Sequence, residues 1–214
     1  MKKQGKIYKF MAAAVLGSVL FVSSLGQSQA VSFSDVSAQY EEAVQYAVDQ
    51  NIASGLGNGA FGVGQRIKRV DAAVMLAKAL NLDIESAPAV PFEDVPARAQ
   101  KAVSALAEAG VVSGKSPTLF GSDQTLTRGE MALILVRAYK LQGTADHEFI
   151  DVSSNYDAAV QALVANKVTL GKSPALFGTA APITRGEFAI FLFRVDGSTQ
   201  EAPVGDGFEV IDIY

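Results

Sequence analysis

The sequence predicts an all-α protein in which three copies of one helix–loop–helix unit gather about a pseudo-threefold axis. Two observations carry that prediction. The first is self-similarity at a fixed period. Phe33-Ser34-Asp35-Val36, Phe92-Glu93-Asp94-Val95 and Phe149-Ile150-Asp151-Val152 recur at offsets of 59 and 57 residues. The same offsets relate Gly55, Gly114 and Gly171, then Phe61-Gly62, Phe120-Gly121 and Phe177-Gly178, then Arg69, Arg128 and Arg185. The second is the spacing of apolar residues between these landmarks, which is helical. A unit of fewer than 60 residues with two helices buries too little surface to be robust alone, whereas three units sharing one core form a single domain.

Taken in order, Met1–Lys9 is basic, Phe10–Leu25 is apolar, and Ser28-Gln29-Ala30 places small residues before Val31. That order reads as a secretory signal peptide over residues 1–30. The apolar stretch is broken by Gly17, Ser18, Ser23 and Ser24, which argues for cleavage rather than a retained membrane anchor. The first unit, residues 31–90, opens a helix after Asp35 with Tyr40, Ala43, Val44, Ala47 and Val48 on one face. The second, 91–148, repeats it with Ala99, Ala102, Val103 and Leu106, and the third, 149–196, with Tyr156, Ala159, Val160 and Leu163. Each helix is expected to end at Gly55, Gly114 or Gly171, a residue type that tolerates the left-handed turn conformation. A loop carrying Phe61, Phe120 or Phe177, expected as core, leads to a second helix whose apolar positions align as Met75/Ile134/Phe191 and Leu76/Leu135/Leu192. The remainder, 197–214, reads as an acidic tail or linker stub, with Phe208-Glu209-Val210 as the start of a strand.

Thr127-Arg128-Gly129-Glu130 and Thr184-Arg185-Gly186-Glu187 have the form of a helix capping box, which accounts for the Thr and the Glu. It does not account for the Arg. A cation in the first turn opposes the helix dipole by about 0.3–1 kcal/mol, and it recurs in all three units. Either a carboxylate of a neighbouring unit offsets that cost, or the guanidinium and free N–H groups of the helix start hold an anion together. Lys68-Arg69-Val70-Asp71 keeps the Arg without the hydroxyl cap, so the first unit departs from the others. It departs again at Leu56-Gly57-Asn58, where the others have Lys115-Ser116-Pro117 and Lys172-Ser173-Pro174.

Composition excludes several classes of function. The chain has 214 residues, no Cys and a single His, so thiolate chemistry, thiol-ligated metals and multi-His sites are out. The formal net charge is −4, but residues 1–30 hold four lysines and no acid. The other 184 residues therefore carry 14 basic and 22 acidic side chains, a net of −8, which disfavours nucleic acid or a polybasic membrane contact. His147, between Asp146 and Glu148, is expected as a solvated loop residue rather than a ligand.

The FxDV starts, the Gly-to-Phe-Gly loops and the TRGE-type helix starts, three times behind a signal peptide, resemble S-layer homology (SLH) domains. The resemblance covers residues 31–196. It implies a three-pronged helical spindle and non-catalytic, non-covalent anchoring to the bacterial cell wall. The implied partner is secondary cell wall polysaccharide linked to peptidoglycan, bound in the grooves between units through a pyruvylated terminal sugar, with S-layer proteins as further partners. No cofactor, nucleic acid or membrane partner is implied once the signal is removed. On this likeness Arg69, Arg128 and Arg185 would grip the ketal carboxylate. Asp35, Asp94 and Asp151 would sit at the groove, or else cap a helix or bridge to Arg. Gly55, Gly114 and Gly171 would let backbone approach the sugar, and Lys115 and Lys172 would add a second cation. The same likeness leaves open an anchor portion of a truncated wall hydrolase, or a subunit of a structural lattice.

Overall fold

The computed structural model describes residues 32–199. The signal segment and the tail from residue 200, with its expected strand at Phe208, lie outside the described residues. Six α-helices and one short 3-10 turn make up the regular structure of the described residues: α1 (Ala38–Asp49), α2 (Arg69–Ala79), α3 (Gln100–Glu108, preceded by the turn Ala97–Ala99), α4 (Arg128–Tyr139), α5 (Ser154–Ala165) and α6 (Arg185–Thr199). Among the described residues there is no strand, so the all-α class and the pairing of two helices per unit hold.

The odd-numbered helices are the amphipathic ones, burying for example Ala43, Val44 and Ala47 on α1 and Ala159, Val160, Ala162 and Leu163 on α5. The even-numbered helices are central. On α2 and α4 apolar residues are buried nearly all round, as a helix surrounded by protein requires. The helices of one unit are not each other's partners. α3 packs on α2, α5 on α4, and α1 on α6, so every outer helix lies on the central helix of the preceding unit and the set closes into a ring.

Closure is completed by the backbone. Just before each central helix one residue donates its N–H to the next in a cycle: Ile67 to the carbonyl of Ile183, Ile183 to that of Leu126, and Leu126 to that of Ile67, each at 3.0 Å. All three side chains are buried. Three equivalent residues bonded in a triangle define the expected pseudo-threefold axis.

The outer helices do not end at the predicted glycines. The left-handed residues that follow them are Asn51, Gly110 and Lys167, themselves one repeat apart. Gly55 and Gly114 lie further on and do not have positive φ; Gly171 does, at 92°. What all three share is packing: a Cβ at Gly55, Gly114 or Gly171 would run into the ring of Phe33, Phe92 or Phe149. The glycines whose left-handed conformation recurs in all three repeats are Gly62, Gly121 and Gly178, with φ of 88°, 84° and 83°.

Those glycines bend the loop around the motif aspartates. Asp35 accepts from the N–H groups of Phe61, Gly62 and Val63, Asp94 from Phe120, Gly121 and Ser122, and Asp151 from Phe177, Gly178 and Thr179, all at 2.7–2.9 Å. The aspartates thus neither cap the outer helices, whose N-cap positions are taken by Ser37 and Ser153 in α1 and α5, nor bond to the arginines. Each ties its loop to the start of its own unit. Partial burial alone would raise these carboxyls, but the three donors outweigh it and hold all three below the usual carboxylate range.

Because the folded value is the lowered one, this contribution is present above the ordinary carboxylate pKa and is lost as the pH falls through the lowered value. Asp94→Ala is expected to lower the melting temperature by about 5 °C or more near neutral pH, from roughly 1.5–3 kcal/mol for hydrogen bonds to a charged group. Circular dichroism melts taken from about pH 7 down to about pH 2 should show wild type and variant converging in acid.

Candidate functional site

The loops and helix starts meet at three seams, each made from two units. At every seam the arginine comes from one unit and its surroundings from the next, and the third unit reaches back to the first. Arg69 donates from Nε to the carbonyl of Phe120 (3.0 Å) and from Nη2 to that of Ser113 (2.9 Å). Arg185 does the same with Phe61 (3.0 Å) and Ser54 (2.9 Å). Each guanidinium also lies over a motif ring, Arg69 on Phe120, Arg128 on Phe177 and Arg185 on Phe61, with 4.8–5.0 Å from Cζ to the centroid. The other neighbour of each ring is the Phe of FxDV, at 5.5–5.9 Å between centroids. A cation, a ring and a second, tilted ring therefore follow one another across every seam. Phe61, Phe120 and Phe177 are fully buried core residues, as expected.

The helix starts differ from expectation. The anion-binding picture needed free N–H groups there, and the seams occupy them. Arg69 and Val70 donate their backbone N–H to Gln124 and Ser122, Arg128 and Gly129 to Ala181 and Thr179, and Arg185 and Gly186 to Gln65 and Val63. The next N–H along goes to the capping Thr: Glu130 to Thr127 Oγ1 and Glu187 to Thr184 Oγ1, both at 3.2 Å. The reciprocal bonds from Thr127 and Thr184 N–H to the Glu carboxylates complete both capping boxes, and Lys68 makes none. The physical reason is packing: a helix start buried against a neighbouring loop must satisfy its donors within the protein. What remains for a ligand at the seams is side chains.

The offsetting carboxylate does come from the neighbouring unit. Arg69 Nη1 lies 3.9 Å from Glu130, and Arg128 Nη1 lies 4.0 Å from Glu187. The same two glutamates pair with Lys115 and Lys172, the latter at 3.3 Å. So the seams bring Arg69, Lys115 and Glu130 together, and Arg128, Lys172 and Glu187. At the remaining seam Leu56 stands where the Lys would be, and Asp71, in place of the Glu, pairs with Arg98 at 2.8 Å. Glu130 and Glu187 were legible in sequence only as caps. The missed signal is that Lys and Glu occur together in two units and are absent together from the first. At the α2 start, beside Val70, an open cleft of about 330 Å³ lies between the first two units, lined by Glu93, Asp94, Arg98, Ser122 and Asp123 among others.

Arg128 is the outlier. It is 2% exposed, lies over Phe191 as well as Phe177, and gives one hydrogen bond, from Nη2 to Thr169 Oγ1 at 3.2 Å. Phe191 replaces Met75 and Ile134 of the other units, and Thr169 replaces Ala53 and Val112. A larger ring and a side-chain acceptor draw the guanidinium off the backbone carbonyls that hold its counterparts. Burial lowers the Arg128 pKa to about 10, with Glu187 acting in the other direction, so the group stays charged at neutral pH. Burial also lowers Arg69 and Arg185, opposed by Glu130 and Asp71 respectively.

His147 is not the solvated residue expected. Its ring stacks on Phe149 at 4.9 Å and its Nε2 lies 3.2 Å from Asp157. The aromatic neighbour that shields it is two residues away in sequence.

Comparison with known proteins places this geometry in context. Residues 32–73, 91–132 and 148–189 each match the family model for the S-layer homology domain. A surface-layer 125 kDa protein of Lysinibacillus sphaericus is 35% identical, with 99% of this chain and 19% of that protein aligned. An S-layer protein of Bacillus licheniformis is 31% identical over 86% of this chain and 22% of its own length. An uncharacterized cell wall amidase of Bacillus anthracis is 27% identical over 92% of this chain and 38% of that protein. The chain thus spans between a fifth and two fifths of the length of these relatives.

Two arginines hold seams to backbone, whereas Lys172 sits at the rim. Arg185→Ala is expected to cost about 2–4 kcal/mol by removing two charge-assisted hydrogen bonds, and Lys172→Ala less than about 1 kcal/mol, as for a partly exposed ion pair. Urea unfolding of the two variants against wild type checks the contrast.

Proposed function

Since the chain belongs to the S-layer homology domain family, we propose that it anchors non-covalently to the bacterial cell wall by holding secondary cell wall polysaccharide at the seams between its repeats, through an acidic, pyruvylated terminal sugar. Cell-wall association in general goes with the family. The cell surface is the location that goes with it and with the surface-layer relatives, and among the described residues no helix is long and apolar enough to cross a membrane.

The observation that carries the finer reading is the grouping of cations at seams in an acidic chain. A net of −8 over residues 31–214 repels an anionic polymer as a whole, so attraction has to be local. Arg69 with Lys115 and Arg128 with Lys172 supply it at two seams, and Arg185 alone at the third. One charge-assisted hydrogen bond contributes about 1.5–3 kcal/mol, so a single seam is a weak hold. Two or more seams on linked polymer chains raise avidity by roughly 10²–10⁴ without a new contact. Binding without turnover is the activity. The motif carboxylates are already engaged, Asp35, Asp94 and Asp151 by loop N–H groups and Glu130 and Glu187 by Lys and Arg.

Sedimentation of the protein with purified wall sacculi tests the reading. Retention is expected, with affinity falling about tenfold or more once the polymer's pyruvyl groups are removed by mild acid. Equal retention by both preparations would remove the pyruvyl group from the proposal, and no retention by either would remove the anchor.

A further inference from the structure

The boundary between the first two repeats is finished differently from the other two. Where α4 and α6 start, Gly129 and Gly186 let a tyrosine ring lie against the helix, Tyr156 on the former and Tyr40 on the latter. The equivalent pair at the first boundary is Val70 and Ala99, so that ring is missing there. The open cleft of about 330 Å³ lies at this point. Val70, Val95 and Pro96 give it an apolar wall, and two inter-repeat ion pairs flank it, Lys68 with Asp123 and Arg98 with Asp71. Ser122, also in the lining, is 2% exposed, and its Oγ has no hydrogen-bond partner. The backbone of Ser122 is engaged on both sides, its N–H by Asp94 and its C=O by the N–H of Val70. The hydroxyl is therefore the one group this residue has left for an occupant of the cleft. Glu93 is exposed, and its carboxylate engages no group among the described residues.

We propose that this cleft is a binding site for an amino sugar whose nitrogen is not acylated, taken up as the ammonium. Charge sets the sign. Three carboxylates, Glu93, Asp94 and Asp123, line the cleft against one guanidinium, Arg98, a balance of −2, and the flanking Lys68 and Asp71 cancel. An anion is disfavoured there and a cation drawn in. Glu93 is the group for the ammonium to pair with. Asp94 is already held by three N–H groups, and Asp123 and Arg98 each have an ion-pair partner. A bare ammonium would use little of the rest. The apolar wall suits the C–H face of a sugar ring, Ser122 Oγ both donates and accepts toward a ring hydroxyl, and Arg98 and Asp123 have donors and lone pairs to spare at the rim. The other boundaries do not repeat the set. Glu93, Arg98 and Asp123 are replaced by Ile150, Asn155 and Ala180 at the second and by Ser34, Gln39 and Gly64 at the third. The site uses neither Arg69 nor Lys115 and takes the opposite charge, so it stands apart from the seam reading.

The test is an NMR titration of the intact protein with glucosamine at about pH 6, where the amine is protonated, with sodium chloride holding the ionic strength. Saturable movement of the backbone amides of Glu93, Ser122 and Asp123 is the expected result, with N-acetylglucosamine binding about tenfold or more weakly. Equal binding of the two sugars would show that the amine is not read and would overturn the proposal. Movement that never saturates, or that spreads over Glu41 and Glu42 of α1, would do the same, as the mark of non-specific attraction to an acidic surface. Nα-acetyl-lysine methylamide carries an ammonium on a stem without a ring, and binding as tight as that of glucosamine would sink the sugar assignment. Glu93→Gln and Ser122→Ala should each melt with wild type, since one removes an exposed charge and the other an unpartnered hydroxyl. Each should weaken glucosamine about threefold to tenfold, and undiminished binding by either would count against the site as drawn. None of the three probes carries a carboxylate, so the outcome is independent of what the seams hold.

Discussion

Everything in this fold hangs on the triangle of hydrogen bonds that Ile67, Leu126 and Ile183 make about the axis. Each contributes one N–H and one C=O, so no member has both its partners until the other two are present. A pair of repeats would leave a buried donor and a buried acceptor open, at a cost comparable to the bonds themselves. Three copies are thus the smallest number that satisfies the centre. The outward consequence is the ring of helix packing, in which each outer helix lies on a central helix from the preceding repeat. A repeat folded alone would have neither the partner for its outer helix nor an acceptor for its central strand-like residue.

The same rule of mutual completion explains the motifs. FxDV and the Phe-Gly loop sit about 26 residues apart in each repeat and are a single construction. The aspartate gathers three loop N–H groups, the glycine supplies the left-handed turn those bonds need, and the two phenylalanines pack against each other at a tilt. The arginine of the preceding repeat then closes over the buried loop phenylalanine. What looks like a set of binding residues strung along the chain is, for the most part, the joinery between repeats. Cations and anions are present at the seams because burial there requires each to have a partner. What that joinery leaves less tightly engaged is the lysines at two rims and, at the second seam, an arginine whose neighbours changed.

The first repeat shows how departures from the motif propagate. Lys68 in the capping position makes no cap and instead pairs with Asp123 of the next repeat at 2.6 Å. Asp71, shorter than the Glu it replaces, pairs with Arg98 across the same boundary. Lost local stabilisation is replaced by exposed ion pairs, each worth at most about 1 kcal/mol. The third repeat departs in the opposite sense. Phe191 and Thr169 bring larger and more polar groups to the arginine, and Ile150 and Leu170 of the same repeat stand exposed. Three repeats with one architecture therefore present three chemically distinct seams.

The sequence by itself determined the number of repeats, the helix faces and the family, because these depend on local periodicity and on residues recurring at a constant offset. Tyr40, Ala43, Val44 and Ala47 on one helix, or Thr127 and Glu130 around one helix start, report their role within a few residues of chain. The capping boxes were readable for the same reason. Only the tertiary structure decided what the recurring Asp, Gly and Arg are for. Asp35 finds its partners 26 to 28 residues away, Gly55 is required by a ring at Phe33, and Arg185 meets carbonyls more than a hundred residues back. Identical letters at Arg69, Arg128 and Arg185 gave no sign that one would be left with open donors. That difference comes from residues facing the arginine across a seam, on a different repeat, and hydrogen-bond satisfaction is a property of the partner as much as of the donor.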